Sequence, residues 1–138
     1  MSAPLKLRAR DAEDLAVMSA MVQDALVPLS DMVYLAEDRR FVIALNRYRW
    51  DAPDAPSRTH ALLTVQQVEQ VQTRNLNRHE RERILNLLSL TVEDGDLLAV
   101  FAGGGLLRLS AETLDCVLED VGDPWPAQAT PAHPDDPN

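Results

Sequence analysis

Residues Arg40 to Tyr48 carry apolar side chains with a period of two. Phe41, Ile43 and Leu45 fall on one side of an extended chain, and Val42, Ala44 and Asn46 fall on the other. That period belongs to a half-buried strand rather than to a helix. Just upstream, about Leu29 to Ala36, Met32 and Tyr34 alternate with Val33 and Leu35, and Glu37-Asp38-Arg39 reads as a tight polar turn. The two segments predict an antiparallel hairpin.

The same grammar continues downstream. Asp51 to Ser57, with Pro53 and Pro56, predicts a surface loop. A strand is expected from about Arg58 to Val65. The alternation slips at Gln66-Gln67, which marks a β-bulge or a new strand running through Val71 to Thr73. Arg74 to Arg83 is polar and reads as a loop with at most one helical turn. Ile84 to Val92 is strongly apolar and predicts a strand, its first half also fitting a helical face. Asp94-Gly95 is a hairpin signal. Leu97 to Ala102 returns, Gly103-Gly104-Gly105 turns the chain again, and Leu106 to Leu109 makes a short last strand.

Two helices are expected at the ends. In the first, about Ala12 to Leu26, Leu15, Met18, Val22 and Leu26 share a face, Asp11 is the N-cap, and Pro28 stops further propagation. In the second, about Ala111 to Val121, Leu114, Val117, Leu118 and Val121 form a stripe between an N-cap at Ser110 and a C-terminal Gly122. The order helix, about six short-linked strands, helix predicts an α+β fold. Its sheet is antiparallel and curved, or a partly open barrel of the pleckstrin-homology type capped by the C-terminal helix. Residues 1–126 are expected to form one domain, and 127–138, rich in proline, a disordered tail.

Composition narrows the function classes. The 138 residues hold 22 acids against 13 bases, a net charge of −9, which argues against nucleic acid or an anionic membrane as partner. Charge is polarised: residues 39–83 are net +4, residues 1–38 net −4, and residues 84–138 net −9. The one cysteine, Cys116, excludes an intrachain disulfide framework and any cysteine-cluster metal site. No run is long and apolar enough for a membrane helix, and the N-terminal residues have no signal-peptide character. A cytoplasmic setting is expected.

Several stretches carry a resemblance. Glu13-Asp14-Leu15-Ala16-Val17, Gln23-Asp24-Ala25, Arg39-Arg40-Phe41-Val42, Leu45-Asn46-Arg47 and Phe101-Ala102-Gly103-Gly104-Gly105 resemble an uncharacterised alphaproteobacterial family of short proteins known as a domain of unknown function. The similarity spans about residues 5–126. It implies a compact bacterial cytoplasmic domain and transfers no catalytic residue.

Most of the chemistry-bearing residues have plain structural roles. Gly103-Gly104-Gly105 lies between predicted strands without the lysine of a phosphate loop, so a turn is the better reading. His60, His79 and His133 show no ligand spacing, and no metal or other cofactor is expected. Cys116 reads as a buried inert thiol beside an apolar stripe. Arg78-His79-Glu80-Arg81-Glu82-Arg83 reads as a solvated run of alternating charge. The remaining candidate is Arg47-Tyr48-Arg49-Trp50, where two arginines and two aromatics in sequence make a candidate partner-binding surface. The favoured function is a non-enzymatic protein-binding or adaptor domain. The alternative is a small-molecule-binding protein or small enzyme with a pocket at the mouth of the sheet.

Overall fold

A computed structural model describes residues 4–52, 56–77 and 79–127. Ten antiparallel strands form a single sheet: β1 (Lys6–Ala9), β2 (Ala25–Pro28), β3 (Met32–Leu35), β4 (Arg40–Tyr48), β5 (Ser57–Val65), β6 (Val68–Arg74), β7 (Ile84–Glu93), β8 (Asp96–Phe101), β9 (Leu106–Ala111) and β10 (Cys116–Pro126). Their order is β1-β10-β5-β4-β2-β7-β8-β9-β6, with β3 also paired to β4. One α-helix, α1 (Ala12–Met21), lies between β1 and β2.

The expected hairpin forms with Arg40–Tyr48 as its long arm, and Met32 pairs Ile43 while Leu35 pairs Arg40. On β4 the predicted inward set, Phe41, Ile43 and Leu45, is buried. β4 then pairs β5 from Phe41↔Val65 to Tyr48↔Arg58. The slip at Gln66-Gln67 carries the chain off β5 to the far edge of the sheet, where β6 pairs β9. Gln67 takes a left-handed φ of 56° to make that exit.

A second crossover works in the opposite sense. β2 pairs β7 and touches β4 at Leu26↔Asn46. A 3-10 turn at Leu29–Asp31 then lifts the chain off β7, so β3 pairs β4 alone. The sheet therefore folds over into two halves whose inner faces share one core. Ile43, Leu63 and Leu118 come from one half, and Leu87, Ala99 and Leu109 from the other. α1 bridges the halves: the thiol of Cys116 on β10 lies 3.7 Å from Met18 Sδ, and the amide of Leu90 on β7 donates to Ser19 Oγ at 2.9 Å.

The class is accordingly mostly β, not α+β, and the expected C-terminal helix over 111–121 is absent. Cys116–Pro126 is instead an interior strand, paired with β1 on one side and β5 on the other. Val117, Leu118 and Val121 fit a helical stripe by spacing, yet along the strand Cys116 and Leu118 face the core while Val117, Glu119 and Val121 lie on the opposite, partly exposed face. Gly122, expected to end a helix, has a φ of 76° where the β10–β5 register shifts between Val121 and Trp125. Among the described residues there is thus no pleckstrin-homology-type helical cap, and the sheet stays open with ten strands rather than six.

The N-terminal helix forms on its predicted cap, Asp11 Oδ1 accepting from Asp14 N at 2.7 Å. It stops at Met21, five residues short, because Asp24 turns left-handed (φ 63°) and Leu26 is recruited to β2. The expected tail beyond residue 127 and the loop residues 53–55 lie outside the described residues.

Candidate functional site

Parity along β4 decides the fate of the Arg47–Trp50 segment. Arg47 follows Phe41, Ile43 and Leu45 on the inward side, so its guanidinium is driven into the end of the core, where it is 0% exposed. The same parity on β10 sends Asp120 inward after Cys116 and Leu118. Arg47 Nε and Nη2 donate to the two oxygens of Asp120 at 2.7 and 2.8 Å, and Nη1 donates to Asp51 at 2.9 Å. The amide of Leu5, just ahead of β1, also donates to Asp120 at 2.9 Å. Burial works against the charge on Arg47, but the two carboxylates outweigh it and raise its pKa. Burial also pushes Asp51 up, and hydrogen bonding and attraction to Arg47 bring it below its ordinary value.

The other three residues also pack onto the body. Tyr48 is buried, its ring centroid 4.6 Å from that of Trp50 and its face 5.9 Å below the Arg58 guanidinium. Arg49 is buried and donates to Ser57 Oγ at 3.2 Å. Trp50 is half-buried, and its indole N–H donates to the carbonyl of Gln23 at 2.9 Å. Four neighbours in sequence are thus split between the core end and the surface.

The remaining candidates are dispersed. His60 meets Trp125 in a tilted ring contact, centroids 4.7 Å apart, on the outer face, and His79 lies in the loop after β6. His133 is outside the described residues. Burial, with the nearby Asp115 charge, pushes the Cys116 thiol up to about 12, far from a reactive thiolate. No group of three or more His, Cys, Asp or Glu among the described residues is placed to hold a metal ion.

The glycine triplet makes the β8–β9 turn and also seats the loop after β6. Asn75 Nδ2 donates to the Gly104 carbonyl at 3.0 Å. Leu76 packs so closely on Gly105 that an added Cβ would lie 2.7 Å from Leu76 Cδ2. The close approach that only glycine permits is therefore made by Leu76.

Leu76 forms one end of a mainly apolar opening. β3 and β6 face one another across a gap joined at one end, where Tyr34 Oη donates to the Val68 carbonyl at 2.6 Å and the Val68 amide donates to the Arg39 carbonyl at 2.7 Å. Beyond that join the edges are separated by a cleft of about 410 Å³. Its floor is Phe41 and Leu107, both core residues. Met32, Val33 and Tyr34 form one wall and Val71 and Thr73 the other. Leu76, Arg81 and the Leu29–Ser30 turn close the far end. That end is fixed by backbone bonds, Leu29 N to Arg83 O at 2.8 Å and Ser30 N to Arg81 O at 3.2 Å. A concave, mainly apolar site with a few polar groups is the usual form of a small-ligand pocket, and this volume falls within the common range of roughly 300–1,000 Å³.

Sequence reasoning singled out neither Asp51 and Asp120 nor the cleft. Phe41 and the alternation of Met32 with Tyr34 were visible signals for one wall, but the facing wall depends on where β6 lands. No helix among the described residues is long and apolar enough to cross a membrane.

A family model described as a protein of unknown function (DUF2948) matches residues 5–133, nearly the whole chain. Neither the curated proteins nor the solved structures contain a match.

Proposed function

Because the chain belongs to this family, whose description names no activity, we propose a function from geometry: a non-enzymatic binding domain that takes an apolar ligand into the cleft between β3 and β6. One observation carries this reading. Phe41 and Leu107 belong to the core, yet the cleft reaches them from outside between two strand edges that the sheet leaves unjoined. Covering such a surface with an apolar ligand is favourable by about 25 cal/mol per Å² removed from water. A bacterial, cytoplasmic setting goes with the reading, as the family resemblance implies.

The test is saturable binding of the neutral fluorescent probe N-phenylnaphthylamine to the full chain. Thr73 is exposed on the cleft wall, so Thr73→Trp fills the opening without disturbing the core. Wild type should bind and the variant should not, with equal urea midpoints. Equal binding by both, or none by wild type, would refute the assignment.

A protein-partner reading retains one favourable observation: Trp50 is only partly buried at the end of β4. Its contact residue would be Trp50, with Arg47, Tyr48 and Arg49 holding it in place. Trp50→Ala that leaves every co-purifying protein unchanged would remove this reading.

A further inference from the structure

We propose that the ligand of the cleft is amphipathic, a free carboxylate on an apolar body of modest size, with its head held by Arg81. This rests on the cleft reading above and adds the chemistry of the occupant. The first observation is charge. The chain has 22 acids to 13 bases, yet among the described residues lining the cleft the one charged side chain is an arginine. The second is placement. The Arg81 carbonyl accepts from Ser30 N, so the residue is stitched to the turn that leads into β3 while its side chain stays exposed at the rim.

The third observation is the partner pattern of the loop. Arg83 pairs with Glu80 at 3.6 Å. Arg81 makes no ion pair with any described carboxylate, and Ser30 and Thr73 add hydroxyls to the lining, while Tyr34 gives its proton to the Val68 carbonyl at the pinned end. A planar guanidinium offers two parallel N–H donors that match the two oxygens of a carboxylate, and hydroxyls donate readily to the same oxygens. The apolar floor then takes the body of the ligand.

An added protein strand suits the gap less well. β3 offers a four-residue edge, and the β6 edge carries exposed Glu69, Gln70, Gln72 and Arg74, a polar edge of the kind that resists strand pairing.

The experiment is displacement of N-phenylnaphthylamine from the full chain by decanoate and by decanol, which share an apolar tail and differ in the head. At low salt decanoate should bind roughly fivefold more tightly than decanol, the scale of one exposed ion pair. Arg81→Gln should bring decanoate down to the affinity of decanol and leave decanol unchanged. High salt should narrow the wild-type gap in the same direction. Equal affinities in wild type, or a gap that survives Arg81→Gln, would overturn the anionic head while leaving the cleft reading standing. Failure of both compounds to displace the probe would remove the cleft reading as well. A concentration-dependent dimer that decanoate does not dissociate, together with probe binding only to the monomer, would overturn the proposal in favour of a second copy of the chain.

Discussion

Asp120→Ala should be among the most damaging single changes in this protein, and a matched control just ahead of the same strand isolates the reason. Asp120 accepts two bonds from Arg47 at 2.7 and 2.8 Å and one from Leu5 N at 2.9 Å, and its side chain is 4% exposed. Removing it leaves a fully buried guanidinium with Asp51 and a long 3.4 Å bond to the Tyr48 carbonyl. Stranding one member of a buried pair costs about 3–5 kcal/mol. With a urea m-value of about 2 kcal/mol/M, the midpoint falls by roughly 1.5–2.5 M. Asp115, just before β10, holds Arg8 through an equally bidentate pair at 3.0 and 2.9 Å. There the arginine side chain is 53% exposed, water and salt screen the charge, and Asp115→Ala should barely move the midpoint. The Arg47→Met, Asp120→Leu double variant should recover much of the loss, since a packed apolar pair replaces the stranded charge. Equal midpoint shifts for Asp120→Ala and Asp115→Ala would refute the argument that burial decides the worth of these two pairs.

Other consequences are testable in the same assays. Burial pushes Asp51 up, but hydrogen bonding and attraction to the buried Arg47 outweigh it and hold the carboxyl below the ordinary value of 3.8. The folded chain thus takes up protons at lower pH than the unfolded chain, so this stabilisation is complete above that value and is lost as pH falls through it. Urea midpoints across the acid range should show that decline, and Asp51→Asn should flatten it; a decline already under way at neutral pH would contradict the assignment. Gly105→Ala should cost about 1–3 kcal/mol by overpacking against Leu76, and adding Leu76→Ala should relieve the clash, so the two losses should not sum. Cys116, buried beside Met18, should resist thiol reagents at mildly alkaline pH and react only on unfolding; rapid native labelling would contradict its burial.

What was legible in the sequence was local. The Arg40–Tyr48 strand, the break at Gln66-Gln67 where a new strand starts, the Asp94-Gly95 hairpin and the Asp11 cap each announce themselves within a few residues. β10 did not, because Val117, Leu118 and Val121 keep helical spacing inside a segment that pairs as a strand, and so short an apolar run fits two periods equally. β2 was absorbed into the helix for a related reason: Val22 and Leu26 keep helical spacing across a break made by the backbone of Asp24. Arg47 and Asp120 are 73 residues apart, and no local pattern tells a buried pair from a recognition surface. The cleft was least legible, since its two walls meet only through the crossovers at Leu29–Asp31 and Gln66-Gln67.

Those crossovers also explain how a stable domain keeps an opening onto its core. β4 is shared, serving β3 near Ile43 and β2 at Asn46, and β3 gains no second neighbour once the 3-10 turn takes it off β7. β6 is likewise left at an edge after the chain leaves β5. The gap follows from strand pairing, and Tyr34 and Arg39 pin it at one end. The arginine hub lies at the opposite end of β4: six residues separate Phe41 from Arg47, about 20 Å at strand rise. Sites so far apart should act independently, so hub variants that remain folded should bind N-phenylnaphthylamine as wild type does. A hub substitution that abolished probe binding without unfolding the chain would mean that frame and cleft form one coupled unit. The reading of β4 as a rigid strut with a structural end and a binding end would then fail.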